Sequence, residues 1–362
     1  MRVEISRTHQ AYFDFVEGVK AYIAERLMPQ LGQLYQQKAA AQAALTGRHP
    51  TTIEDVARVL EPTRLYRFSR CLQRISQEMM WTVVYRALEP QREALIAELK
   101  RPLEHPLGEV HLDPNLELPE YYRRVEFHLQ PGSYFGDELA GLAYDLAVPI
   151  YVLHRYGPEN DEMGWALVSA LPKRPYRRIL DMGCGIGQKT LPLVDAFPEA
   201  EVIGIDLSAP MLLYAHKRAE ARGKRVTFAQ QNAERTTFPD ESFDLVCSTL
   251  LLHELPESAI RRVIAESYRL LNPGGVCAHL DLPPYREQSP YNAFLMDWDT
   301  KHNNEPYWSS FHHMDLPALY REVGFHNVRE IPITSRWGEE GFYTGTFSYW
   351  VTLGEKGGGM GR

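Results

Sequence analysis

The feature that most constrains the fold is an apolar strand that runs into a loop with three glycines at alternate positions. The segment 178–187 reads RILDMGCGIG. Glycines in such a loop let a ligand approach the backbone closely. A dinucleotide-binding loop needs the spacing GxGxxG, but its last position is Gln188 when counted from Gly183 and Thr190 when counted from Gly185. The spacing therefore excludes the nicotinamide type of loop.

Strands and helices alternate after residue 177, which is typical of a doubly wound α/β sheet. Apolar segments predict strands at 178–182, 201–205, 226–230, 243–248 and 276–280, and a final antiparallel strand within 341–354. Helices are predicted to begin near residues 188, 210 and 258. We expect these elements to form one sheet covered by helices.

The front half of the chain has a different character. Residues 10–100 carry apolar residues at three- and four-residue spacing, which predicts several helices, including one over 53–60 with a threonine cap. Five prolines interrupt residues 101–132, so this stretch is expected to be a connector. We predict an all-helical N-terminal domain over 1–158, which covers the substrate or forms a homodimer, and a ligand-binding α/β domain over 159–362.

Composition narrows the classes of partner. The 362 residues are 44% hydrophobic, but no run approaches the roughly 18 apolar residues that a membrane-spanning helix needs. The start, MRVEISRTHQ, lacks the apolar centre of a signal peptide, so we expect a cytoplasmic protein with no membrane partner. The four cysteines lack CxxC spacing and are expected to be reduced. A formal net charge of -8 argues against nucleic acid as a partner.

Several motifs in the α/β domain point to one family. After the glycine loop, the sequence VIGID places Asp206 at the end of a strand. The later motifs are QNAE at 231–234, FPDESFD at 238–244 and LLNPGG at 270–275. In this order the motifs resemble class I S-adenosylmethionine-dependent methyltransferases of the quinone-biosynthesis type (methyltransferase type 11). The resemblance covers roughly residues 177–281 and does not extend to the front domain.

The resemblance implies a Rossmann-like core of seven strands that binds S-adenosylmethionine. The glycine loop then passes beneath the methionine part, and Asp206 accepts hydrogen bonds from both ribose hydroxyls. Asn232 stands where the family usually has Asp, but its amide oxygen can still accept a hydrogen bond from the adenine amino group. Taken singly, Asp181 could cap a turn and Asp206 could be a solvated strand end. The residues implied in cofactor binding are Asp181, Gly183, Cys184, Gly185, Gly187, Asp206, Leu207, Asn232, Ala233, Ser248 and Thr249.

Residues after the fourth and fifth core strands are candidates for the substrate site. His253 follows the fourth strand, where the class I core places residues near the transferred methyl group, and it is the leading catalytic candidate. The alternative is a histidine that orients the next helix. A lid is predicted at about 282–313, with aromatic and amide side chains that suit a ring-bearing substrate or packing on the front domain. The candidate substrate residues are Tyr285, Trp298, His302, Asn303, Tyr307 and Trp308.

The expected function is methyl transfer to an oxygen, nitrogen or carbon atom of a small, aromatic metabolite. A protein methyltransferase and a non-catalytic cofactor-binding protein are the alternatives. The histidines of the lid lack a spacing typical of metal sites, so no metal is predicted. Three tyrosines of the front domain are expected to pack internally, with contact to cofactor or substrate as the alternative. These are Tyr134, Tyr144 and Tyr151.

Overall fold

The computed structural model of the protein describes residue 1 and residues 3–334 and 348–358, and within these ranges eight strands form a single sheet. The strands are β1 (Glu109–His111), β2 (Arg178–Met182), β3 (Glu201–Asp206), β4 (Thr227–Gln230), β5 (Phe243–Thr249), β6 (Leu271–Asp281), β7 (Phe325–Thr334) and β8 (Ser348–Lys356). Their order across the sheet is β1-β4-β3-β2-β5-β6-β8-β7. The two pairs that involve β8 are antiparallel, and the others are parallel.

The predicted Rossmann-like α/β class is confirmed. The apolar run at β2 gives a strand whose last four residues are buried, and β3 and β5 flank it in parallel. Parallel strands covered on both faces need such nearly continuous apolar runs. The expected final antiparallel strand is present as β8, while residues 341–347 of that prediction lie outside the described residues.

The sheet has one strand more than the seven expected. Strand β1 comes from the proline-rich stretch of the front half and pairs in parallel with β4, with Glu109 opposite Thr227. Gly108 permits this approach, because a Cβ there would lie 2.0 Å from the Val226 carbonyl oxygen. The prediction that residues 1–158 are all helical is therefore wrong at β1. Three residues are too short a pattern for periodicity to detect.

Helices account for most of the remaining described chain. The predicted helix over 53–60 is confirmed, since Thr52 accepts a hydrogen bond from the Asp55 amide at 3.1 Å and forms a capping box. The α-helices are α1 (Arg7–Tyr22), α2 (Met28–Thr46), α3 (Ile53–Leu60), α4 (Arg64–Leu88), α5 (Arg92–Lys100), α6 (Glu120–Arg123), α7 (Ala140–Tyr151), α8 (Glu162–Ala170), α9 (Leu191–Ala196), α10 (Ala209–Ala221), α11 (Glu257–Leu270), α12 (Pro290–Met296), α13 (Trp298–His302), α14 (Trp308–His313) and α15 (Leu316–Val323). A π-helical segment, Ile23–Leu27, joins α1 to α2. Short 3-10 helices lie at Glu89–Gln91, Phe127–Leu129, Leu252–Glu254 and Tyr285–Glu287.

Buried apolar side chains form connected clusters on both faces of the sheet and among the front helices. One face packs on α8, α9 and α10, and the other packs on α11 and α15. Helix α12, which lies in the predicted lid, contributes Tyr291, Phe294 and Leu295 to a cluster shared with α2 and α3. Within the described ranges, no helix combines the length and apolar content needed to cross a membrane. The lid is thus packed against the front helices as well as the sheet.

Candidate cofactor and active site

The glycine loop between β2 and α9 is open on one side. Gly183, Gly185 and Gly187 have φ values of 68°, 52° and 72°, in the left-handed region that glycine adopts without strain. A Cβ on Gly183 would lie 2.7 Å from Leu251 Cδ1, whereas a Cβ on Gly185 would meet no atom within 4 Å. Gly185 therefore borders free space that a ligand can enter.

Asp206 ends β3 and connects that strand to the glycine loop. Its Oδ2 accepts a hydrogen bond from the Gly185 amide at 2.9 Å, and its Oδ1 accepts one from the Ser208 amide at 2.8 Å. Burial raises the pKa of Asp206 to about 6, although both amides act in the opposite direction. Each carboxylate oxygen has a further lone pair, so the group can also accept hydrogen bonds from ligand hydroxyls.

Most of the residues implied in cofactor binding come together around one cavity beside the glycine loop. Asp181 accepts a hydrogen bond from Thr190 Oγ1 at 2.7 Å, and Asn232 Oδ1 accepts one from the Glu234 amide at 2.9 Å. These contacts fix both side chains in place at the cavity. The implied residues that line it are Asp181, Gly183, Cys184, Gly185, Asp206, Leu207, Asn232, Ala233 and Thr249.

Two of the implied residues, Gly187 and Ser248, lie outside the lining of this cavity. A Cβ on Gly187 would lie 3.0 Å from Phe228 Cζ, so the missing side chain lets the loop pack on that ring. Ser248 Oγ lies 2.6 Å from His279 Nδ1, and both side chains are buried. Their surroundings give these residues a packing role, and a contact with the cofactor stays a prediction for both.

Tyrosines from the front half form the opposite wall of the cavity. Tyr134 and Tyr144 line it, whereas Tyr151 is not among the lining residues. Contact of these tyrosines with a cofactor or substrate stays a prediction. Tyr121 and Tyr122 also line the cavity, although no sequence motif singles them out. They lie on the one-turn helix α6 between prolines, and a pattern this short carries no signal that a side chain faces a cavity.

Polar contacts tie the tyrosine wall to the sheet side of the cavity. The Tyr121 hydroxyl donates to Glu234 Oε1 at 2.8 Å, and the Tyr134 hydroxyl donates to Glu254 Oε1 at 2.8 Å. Glu234 and Glu254 both line the cavity. The front half and the sheet therefore share hydrogen bonds at the site itself.

His253 lies next to Glu254 on the sheet side of the cavity, in the 3-10 helix that follows β5. Its ring is 3% exposed, and its Nδ1 is 2.7 Å from Asp281 Oδ1 at the end of β6. Burial alone would lower the pKa of His253, but the Asp281 carboxylate raises it. His253 is not among the residues that line the cavity, whereas its neighbour Glu254 is. The catalytic role of His253 stays a prediction.

None of the six candidate substrate residues of the lid is among the residues that line this cavity. Tyr285 stacks on His312 with ring centroids 4.7 Å apart. Trp308 meets the His253 ring edge-on at 5.1 Å, and Tyr307 meets Tyr121 edge-on at 6.0 Å. Periodicity does not reveal which face of so short a helix points inward, because α13 and α14 have five and six residues.

The other three candidates differ in exposure. Trp298 is 3% exposed, and its ring lies 5.7 Å from the guanidinium of Arg70 on α4. Asn303 is buried and donates to the Tyr151 hydroxyl at 3.4 Å, while His302 faces solvent. These lid residues pack on the front helices or on residues behind the cavity, and their contact with a substrate stays a prediction.

Comparison with known proteins supports the family resemblance of the sequence motifs. A family model for a methyltransferase domain matches residues 179–275. Demethylmenaquinone methyltransferase of Thermus thermophilus is 40% identical over 115 residues, or 32% of this chain and 51% of that protein. Trans-aconitate 2-methyltransferase of Deinococcus radiodurans is 37% identical over 125 residues, or 34% of this chain and 45% of that protein. The chain thus spans about half the length of these two relatives.

A third relative is matched over more of its length. Demethylmenaquinone methyltransferase of Geobacillus kaustophilus is 31% identical over 176 residues, which cover 44% of this chain and 74% of that protein. The part that the family model matches, residues 179–275, contains the glycine loop and the Asp206 strand end. On this combined evidence, the chain belongs to the class I S-adenosylmethionine-dependent methyltransferase family.

Proposed function

We propose that this protein transfers a methyl group from S-adenosylmethionine to a small molecule bound between the cofactor and the tyrosine wall. The observation that carries the proposal is the single cavity that joins the glycine loop, Asp206 and Asn232 to Tyr134 and Tyr144. Support also comes from the relatives, whose names refer to demethylmenaquinone and trans-aconitate, both small molecules. A planar acceptor would suit the aromatic wall.

The residues present fit the cofactor. Asp206 would accept hydrogen bonds from the ribose hydroxyls, and Asn232 Oδ1 would accept one from the adenine amino group while keeping its bond to the Glu234 amide. The open side of Gly185 would leave room for the amino-acid end. When bound, the cofactor supplies a methyl group on a positively charged sulfur, which is a good leaving group.

The chain's own contribution is to align the acceptor and to receive its proton where one is lost. Glu254 is the acidic group on the wall beside Tyr134, and His253 stands behind it with Asp281. We place the acceptor atom near this corner. Desolvation by the surrounding tyrosines would strengthen the electrostatic interactions of Glu254.

A methyl-transfer assay tests the proposal. The protein is incubated with methyl-labelled S-adenosylmethionine and either the small-molecule or the protein fraction of a cell extract. We expect label in the small-molecule fraction and none with an Asp206→Ala variant. Label that appears only in the protein fraction would favour a protein methyltransferase. Tight cofactor binding with no label in either fraction would favour a non-catalytic cofactor-binding protein.

Cofactor affinity should depend on pH through Asp206. Its pKa is raised to about 6 by burial, and hydrogen bonds from ribose hydroxyls favour the ionised form. Affinity should therefore be constant well above pH 6 and fall below it, by up to about tenfold per pH unit. Calorimetry with S-adenosylhomocysteine between about pH 8 and about pH 5 would measure this.

Asp206→Asn is the control for the pH experiment, because a neutral amide has no charge to lose. Burial also raises the pKa of Asp181, beside the cavity, to about 7. Because Asp206→Asn keeps Asp181, it distinguishes the contributions of the two carboxyl groups to the pH profile. The explanation would be wrong if the parent and Asp206→Asn showed the same pH profile.

A further inference from the structure

Two histidines and two glutamates from three separate parts of the chain converge beside the cavity. His128 lies in the 3-10 helix Phe127–Leu129, and His253 and Glu254 lie in the one that follows β5. Glu305 lies between α13 and α14. One ligand atom from each of the four side chains lies within 4.8 Å of the others. The sequence separations are long, so no spacing motif could have revealed this cluster.

The cluster contains a buried carboxylate that is only half satisfied. Glu305 is fully buried, and its Oε1 is 2.8 Å from His128 Nδ1 and accepts a hydrogen bond from the His128 amide at 2.9 Å. Its Oε2 has no hydrogen-bond partner among the residues that the structure describes. An unpaired buried carboxylate oxygen costs free energy, and a bound cation would offset that cost.

The remaining contacts resemble the outer partners of a metal site. His253 Nδ1 is engaged by Asp281, which leaves Nε2 as the available ligand atom. Carboxylate–histidine pairs of this kind orient metal ligands. The Tyr134 hydroxyl holds Glu254, and His128 Nε2 lies 3.6 Å from Glu254 Oε1. Both histidines thus have their Nδ1 occupied, and the Nε2 of His128 faces Glu254, another member of the cluster.

The negative charge of the cluster and the backbone conformation of His128 also favour a metal site. Glu254, Glu305 and Asp281 bring three carboxylates together, and Lys189 supplies a neighbouring positive charge. His128 also has φ of 52°, a conformation that is sparsely populated outside glycine and recurs at functional sites.

We propose that His128, His253, Glu254 and Glu305 bind a divalent transition-metal ion of the zinc class. Imidazole nitrogens and carboxylate oxygens are zinc ligands at about 2.0–2.2 Å, which places neighbouring ligand atoms about 3.4 Å apart in a tetrahedron. Rotations about the side-chain bonds of the four residues would bring their ligand atoms to that distance. The ion would join the front half, the sheet and the lid at one point.

This site also changes the role expected of His253 from proton acceptor to metal ligand. Because Glu254 lines the cavity, the ion would lie next to the acceptor position, where it could bind an acceptor oxygen and lower its pKa. That last step rests on the proposed function, whereas binding of the ion does not.

Zinc binding to the full-length protein tests the proposal. The protein is dialysed against a chelator, and zinc chloride alone is then titrated by calorimetry, with elemental analysis of the product. We expect one tightly bound ion per chain. Glu305→Gln and His128→Asn should each lower the affinity by more than about 100-fold, because even partners that only orient ligands contribute about 10- to 100-fold.

The two variants are chosen to preserve the fold. Glutamine has the shape of glutamate and still accepts a hydrogen bond from the His128 amide, and asparagine tolerates the left-handed backbone of residue 128. The matched control is His302→Asn, an exposed histidine in the same lid, which should bind zinc as the parent does. S-adenosylhomocysteine affinity, which depends on the glycine loop and Asp206, reports that each variant is folded.

The proposal would be overturned by weak or absent zinc binding to the parent. Parent-like zinc affinity in a folded Glu305→Gln or His128→Asn variant would overturn it as well, and so would an equal loss in His302→Asn. The proposed function fails by a different result, namely no binding of S-adenosylhomocysteine or no methyl transfer at any zinc concentration.

Discussion

Asp206→Ala should weaken the binding of S-adenosylhomocysteine by at least about 100-fold, because hydrogen bonds to a charged acceptor contribute about 1.5–3 kcal/mol each. The variant would lack the carboxylate that accepts hydrogen bonds from the two ribose hydroxyls. The Gly185 amide would also lose the hydrogen-bond partner that holds the glycine loop. Calorimetry on the purified variant measures the loss. Asp206→Asn should show a smaller effect, since it keeps one acceptor oxygen.

Asp195→Ala is the matched control, because Asp195 is an exposed carboxylate on α9 and is not among the residues that line the cavity. Its affinity for S-adenosylhomocysteine should equal that of the parent. If a folded Asp206→Ala variant also bound as tightly as the parent, the cofactor would lie elsewhere, and the proposed function would lose its main support.

Phe228→Ala should lower the free energy of unfolding by about 3–5 kcal/mol, the usual range for removing a fully buried phenylalanine ring. Phe228 is fully buried on β4 and fills the space beside two glycines. A Cβ on Gly187 would lie 3.0 Å from its Cζ, and a Cβ on Gly204 would lie 3.1 Å from its Cδ1. The cavity left by the ring would also let the glycine loop shift, so cofactor affinity should fall.

Urea unfolding followed by circular dichroism measures the change in stability. Phe15→Ala is the comparison, because Phe15 is 57% exposed on α1 and its loss should cost less than about 0.5 kcal/mol. A change below about 1 kcal/mol for Phe228→Ala would contradict the packing role assigned to the ring.

The sheet was largely predictable because its central strands are buried on both faces. The segment predicted at 178–182 is β2 as observed, and the one predicted at 243–248 differs from β5 by one residue. Such strands need apolar residues at successive positions, and this local requirement is visible in the sequence. The glycine loop and Asp206 follow directly from the strand ends, so most of the implied cofactor residues line one cavity.

The acceptor end was much less predictable, because distant segments build it. Tyr121 and Tyr134 reach the cavity from the front half, and no local pattern links them to Glu234 and Glu254 on the sheet side. The composition of the lid predicted that its aromatic residues contact the substrate, yet their rings pack behind the cavity. Composition reports that a segment is aromatic, while the direction in which its rings point is set by tertiary contacts.

Strand β1 has a consequence for how the chain can be shortened. It covers the outer side of β4, so a truncated chain that lacks residues 109–111 would expose the backbone amide and carbonyl groups of that strand. Open edges of this kind pair with other chains and promote aggregation. In the full chain the three-residue β1 forms this edge of the sheet, and so short a strand offers few backbone groups for such pairing. A shorter form that keeps this short edge would have to retain the segment from Gly108 onward.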